Sequence, residues 1–143
     1  EAYNAHLYLK IASNLRVQGL DNLAAHFQGQ FEEENGHQAK IQTYITDRNE
    51  NVDVLVTPAV EVNPNEIIDI AEKYVAQEKL TTKRLKDIAK AAWDEWDLLT
   101  FQFMQEMINL QRAEEDEAMT FYDQAKHIDT KSALLLWNMS YGG

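Results

Sequence analysis

Long runs of helical periodicity with almost nothing to interrupt them constrain this chain more than any other feature. Apolar residues recur at helical spacing, as Ala5, Leu9, Ala12 and Leu15 and then as Leu23, Phe27, Phe31 and Ile41. This is the pattern of amphipathic helices that bury one face. Only 2 prolines and 5 glycines occur in 143 residues, so the breaks can be placed. The first helix is expected from Glu1 to about Val17 and stops at Gly19-Leu20-Asp21-Asn22. Gly19 suits the C′ position there, and Asp21 or Asn22 the next N-cap. The second helix is expected to reach about Asp47. From Arg48 to Val62 the helical period lapses, and Val52, Val54 and Val56 alternate as in an extended connection. Asn63-Pro64-Asn65-Glu66 reads as the start of a third helix, with Asn63 as N-cap, Pro64 at the first helical position and Glu66 in a capping box. That helix is expected to continue to about Trp93. A turn from Asp94 to Asp97 leads into a fourth helix ending near His127, and Thr130 to Tyr141 make a short fifth. The chain starts inside a helix without a methionine, so the first turns of the natural protein are expected to be missing.

Helices of about 26 residues are about 39 Å long, while an extended connection of about 15 residues spans about 50 Å. The connection can therefore return along a whole helix. Short turns make helices one and two antiparallel, and likewise three and four, while the crossover makes two and three parallel. The expected fold is all-α: one four-helix bundle over residues 1–143 with a single long crossover and a short fifth helix.

Composition narrows the chemistry. The chain has no cysteine, which excludes thiolate metal sites, thiol nucleophiles and disulfides. A metal must be held by oxygen and imidazole. With 13 Lys and Arg against 24 Asp and Glu, the net charge of −11 argues against nucleic acid and favours cationic partners. No apolar run approaches the roughly 18 residues of a spanning helix, so no membrane segment is expected and the chain reads as soluble and cytoplasmic.

Glu34-Asn35-Gly36-His37 is a Glu-x-x-His, which on a helix places carboxylate and imidazole on one face, one turn apart. Taken singly the motif is weak, and acidic residues on helices are usually solvated. The expected topology adds to it. Counted from their turns, Glu34, Glu78 and Glu114 fall at one level of the bundle, and Glu1 lies within roughly 8 Å of that level. Gln111 is one turn before Glu114. Four inward carboxylates without a counter-ion would be prohibitive, whereas two divalent cations would offset them. Hard oxygen ligands with one imidazole suit iron(II), manganese or a competing zinc.

Glu1 with Tyr8 seven residues on, Glu33-Glu34-Asn35-Gly36-His37, Glu78 and Gln111-x-x-Glu114 together closely resemble the non-haem ferritins, over essentially the whole chain. The resemblance implies a di-iron ferroxidase centre that oxidises iron(II) with dioxygen or hydrogen peroxide and passes the product to a mineral core. It implies one iron on Glu1, Glu34 and His37 and a second on Glu34, Glu78 and Glu114, with Glu34 bridging, Gln111 beside the pair and Tyr8 as an electron donor. It also implies a homo-oligomeric cage of 24 subunits, in which the crossover pairs about a two-fold axis and the terminal helix clusters about a four-fold axis. Glu117 stands where a second Glu-x-x-His would place histidine, and Asn35 where bacterioferritin carries its haem-ligating methionine, so no haem is expected. Leu110 and Ala113 replace carboxylates of the third iron site of bacterial ferritins, which leaves Glu33 a weak ligand.

His6, His26 and His127 lack carboxylates at ligand spacing and read as structural or surface residues. Met104, Met107 and Met119 read as core filling. Trp93 and Trp96 are expected to anchor the corner between helices three and four, and Asp94, Glu95 and Asp97 to form a solvated turn. In the run Glu114-Glu115-Asp116-Glu117, Glu114 alone is expected to turn inward. Two rival functions fit the same chain: a di-iron peroxidase or oxidase that stores no mineral, and a helical interaction module without metal.

Overall fold

The computed structural model of the chain describes residues 1–142. All regular structure among them is helical: α1 (Ala2–Val17), α2 (Asp21–Asp47), α3 (Ile67–Asp94), α4 (Leu98–Ala125) and α5 (Lys131–Ser140). The helices fall into two compact units. Glu1–Glu66 and the segment from Asp129 onward form one, containing α1, α2, the crossover and α5; Ile67–Ile128, the α3–α4 hairpin, forms the other.

In the first unit the buried stripe of α1 is Asn4, Leu7, Tyr8, Ile11 and Leu15, flanked by Ala5 and Ala12. The matching stripe of α2 is Leu23, Ala24 and Phe27, and the Tyr8 and Phe27 rings lie 6.0 Å apart. Burying each such large side chain is worth roughly 1.5–3 kcal/mol. The α2 stripe then keeps its spacing but changes its chemistry, continuing as Gln30 and Glu34, both buried. α3 does the same: Ile70 and Tyr74 give way to Gln77, Glu78 and Thr81 before Leu85 and Ala89 restore apolar packing. On α4 the polar step is Gln111, between Met107 and Ala118. Each long helix thus carries a buried polar residue inside an otherwise apolar stripe.

The helix ends follow chemistry that was only partly foreseen. After α1, Gly19 sits at φ 76°. The Gly19 amide bonds to the Arg16 carbonyl and the Leu20 amide to the Leu15 carbonyl, a glycine-terminated C-cap as expected. The N-cap of α2 differs: it is Leu20, with no side-chain cap of its own, rather than Asp21 or Asn22. The first-turn amides of Asn22 and Leu23 donate instead to Asn138 Oδ1, at 3.1 and 3.0 Å, so a residue of α5 caps α2. The start of α3 differs as well. Asn63 Oδ1 accepts from the Asn65 amide in a local turn, and the helix begins only at Ile67, which removes Asn63 as its N-cap.

α3 ends in the same double bond pattern as α1, but the left-handed position is occupied by Trp96 at φ 58°, a conformation bulky residues avoid. Its ring lies 5.3 Å from Trp93, which in turn lies 5.1 Å from Phe101. The two tryptophans do hold this corner, although both remain largely exposed. The acids of the turn serve structure: Asp97 caps α4 by accepting from the Thr100 amide, and Asp94 pairs with Lys90. Met104 and Met107 are buried as expected, while Met119 is half-buried.

His26 joins α2 to the end of the chain, edge-on to Phe27 at 5.0 Å and to Tyr141 at 5.3 Å. Burial pushes its imidazole down from 6.5 to about 4. Between those values the unfolded chain binds the extra proton and the folded chain does not, so stability rises with pH across that window. The expected result is a loss of roughly 3 kcal/mol as pH falls from 6.5 to 4, absent in His26→Leu. Urea titrations of both proteins at a series of pH values check this; identical pH dependence would contradict it. His6 and His127 are exposed, in keeping with surface roles.

Candidate metal centre

The polar residues inside the buried stripes are the chemistry of this molecule. On the first unit, Glu34 is 2% exposed and lies one helical turn from His37, with its Oε2 3.6 Å from His37 Nδ1. Glu1, at the start of α1, completes a group in which one ligand atom from each of Glu1, Glu34 and His37 lies within 4.8 Å of the others. Metal–ligand bonds of about 2 Å to oxygen and imidazole nitrogen span such separations after small side-chain rotations. Glu1 Oε2 is shielded from solvent and accepts no hydrogen bond, the state of a ligand oxygen aimed at a cation. The other Glu34 oxygen, Oε1, accepts from Asn4 Nδ2 at 3.2 Å.

On the second unit, Glu78 is fully buried, at 0% exposure. Gln111 Nε2 donates to its carboxylate at 2.5 Å and to its main-chain carbonyl at 3.2 Å. Glu114, one turn along α4 from Gln111, is half-buried. Glu115 is half-buried too and accepts from Thr82 Oγ1 at 2.6 Å, so the expectation that Glu114 alone leaves solvent is corrected. The reason lies on α3, where Thr82 presents a hydroxyl to that side of α4. Glu33 is exposed and is bonded only loosely, by Gln30 Nε2 at 3.4 Å. Tyr8 is fully buried beside Phe27.

The structure therefore groups Glu1, Glu34 and His37 on one unit and Glu78 with Gln111 on the other. It adds Asn4, which sequence reasoning missed. The signal was present: Asn4 lies three residues after Glu1 and four before Tyr8, on the helix face those two define.

A sequence model of the ferritin family, described as a ferritin-like domain, matches residues 1–128. The bacterial non-heme ferritin of Campylobacter jejuni is 28% identical over 128 residues, 90% of this chain and 77% of the relative. That of Staphylococcus aureus is 26% identical over 143 residues, covering 99% of this chain and 86% of the relative. Among solved structures, the open pore ferritin of the hyperthermophilic archaeon Archaeoglobus fulgidus superposes with a TM-score of 0.91 at 26% identity. That match covers 97% of this chain and 86% of the other. The chain belongs to the ferritin-like family, and its all-helical fold is that family's bundle. Membership supports iron storage in general. No helix among the described residues is long and apolar enough to cross a membrane.

Proposed function

We propose that this protein stores iron by oxidising iron(II) at a paired site built from its buried carboxylates and sequestering the ferric product inside a homo-oligomeric cage. The observation that carries the reading is the Glu1, Glu34 and His37 group, with Glu34 buried, in a chain of the ferritin-like family. Iron is here a substrate. One iron(II) takes Glu1, Glu34 and His37, and a second takes Glu78 and Glu114 with Glu34 shared between them. Each ion gives one electron, and dioxygen accepts two electrons and two protons to leave as hydrogen peroxide.

The residues divide the work by their chemistry. Carboxylates neutralise the incoming cations and favour the more highly charged product, because a ferric ion gains more from hard anionic oxygen than a ferrous ion does. His37 supplies one neutral ligand that adds no further negative charge. Gln111 fixes Glu78 by hydrogen bonding, and Tyr8, buried on the α1 face that carries Glu1, can supply the second electron where only one iron(II) is bound. Zinc, which has no redox chemistry, competes for the same ligands. Glu33, exposed on α2, serves at most as a transit ligand.

The experiment is an anaerobic titration with iron(II), followed by exposure to air and size-exclusion chromatography with metal analysis. Binding of two ions per subunit before air, and many more iron atoms co-eluting with a large oligomer after air, is the expected result. Two ions bound with no accumulation beyond them would instead identify a di-iron oxidase or peroxidase. No stoichiometric binding at all would leave a helical interaction module.

A further inference from the structure

We propose that Asn4 is a positioning residue of the metal centre, holding Glu34 in its ligating orientation through the bond from Asn4 Nδ2 to Glu34 Oε1. This rests on the reading of Glu1, Glu34 and His37 as an iron site. The bond is 3.2 Å long and joins two buried side chains, Asn4 at 1% exposure and Glu34 at 2%.

Asparagine is a poor choice for this place unless the bond matters. It is less favourable than alanine within a helix by up to about 0.7 kcal/mol, and its amide must find partners when buried. Here it opens a buried stripe whose larger members are otherwise Leu7, Tyr8, Ile11 and Leu15. Its consequence is an asymmetric carboxylate. With Oε1 anchored from α1, Oε2 is the oxygen left facing His37 Nδ1, at 3.6 Å. One oxygen fixes the group and the other is offered to the cation.

The second unit repeats the device with different residues. Gln111 on α4 holds Glu78 on α3 as Asn4 on α1 holds Glu34 on α2, in each case an amide from the neighbouring helix on a buried carboxylate. A carboxamide is suited to this task. Lysine or arginine would orient a carboxylate equally well, but would cancel the negative charge that attracts the metal. An amide donates while remaining neutral.

The test uses cobalt(II) on the full-length, assembled protein, because its visible absorption bands report ligand geometry without oxidation of the metal. In Asn4→Ala the cobalt affinity is expected to fall about 10- to 100-fold, with altered bands, which is the usual effect of losing a partner that orients a metal ligand. Asn4→Thr, close to asparagine in volume and still carrying a donor, recovers part of that loss. Affinity within twofold of the parent and an unchanged spectrum in Asn4→Ala would overturn the proposal. So would a loss that Asn4→Thr fails to recover, since that marks Asn4 as packing only. Failure of the parent protein to bind cobalt overturns the metal-site reading itself, a result distinct from either of these.

Discussion

Glu34→Ala is expected to slow iron oxidation by on the order of 100-fold or more while leaving the fold intact, because one side chain is asked to serve both ions. Alanine is the strongest helix former, and the substitution removes a buried charge from the middle of α2, so helix formation does not suffer. The structural cost includes the space vacated and the bond from the Asn4 amide to Glu34 Oε1, whose loss costs about 1–3 kcal/mol. Metal linkage separates this cost from loss of the site. Zinc at 100 times its dissociation constant is expected to stabilise the parent by about 2.7 kcal/mol, and the variant to gain only the fraction its weakened affinity permits. Stopped-flow absorbance of the ferric product, with thermal unfolding in the presence and absence of zinc, measures both effects. Oxidation at the parental rate would show that Glu34 does not hold the iron.

The second large effect concerns assembly and uses residues remote from the metal. Val54 and Val56 are 89% and 97% exposed and flank an equally exposed Leu55, all on the irregular crossover. A connection of this kind is ordinarily polar, and contiguous exposed apolar residues mark a surface that another chain covers. A mineral-storing cage of this family requires such contacts. If the crossover pairs with its mate as proposed, Val54→Asp with Val56→Asp places four new carboxylates between two chains that already carry −11 each. Charges desolvated without partners at an interface cost several kcal/mol, enough to reduce association by orders of magnitude. Sedimentation velocity is expected to find the parent as a large oligomer and the double variant as a monomer. Deletion after Asp129 removes the exposed Leu135, Leu136 and Met139 together with the Asn138 cap, and is expected to weaken the oligomer while sparing the proposed pairing at the crossover. An oligomer unchanged by the two aspartates would remove the crossover from the interface.

The helices were legible in the sequence because their signals are local. Period and punctuation place α2 to end at Asp47 and α4 to begin just after Asp97, as found. Residues whose partners lie far along the chain were not legible. Nothing near Leu20 announces that Asn138, 116 residues beyond Asn22, supplies its cap. Asn63 satisfied every rule for a helix start, yet its side chain closed a local turn instead. Trp96 occupies a backbone position that propensity would assign to glycine or asparagine, with its ring in edge contact with Trp93. At the candidate metal centre, the spacing of Glu34 and His37 was readable because both lie on one helix. Glu1 was placed beside them by the resemblance and by its height in the expected bundle, while the anchoring of Glu34 by Asn4 depends on how α1 lies against α2. Glu115 was missed for a related reason, since the hydroxyl that draws it in belongs to Thr82 on another helix.

The central claim is that two metal ions share Glu34. Crystals soaked anaerobically in iron(II), measured above and below the iron absorption edge, test it directly through the anomalous difference map. Two peaks per subunit are expected, one bounded by Glu1, Glu34 and His37 and the other by Glu34, Glu78 and Glu114. A single peak, or peaks confined to surface carboxylates such as Glu33, would contradict it.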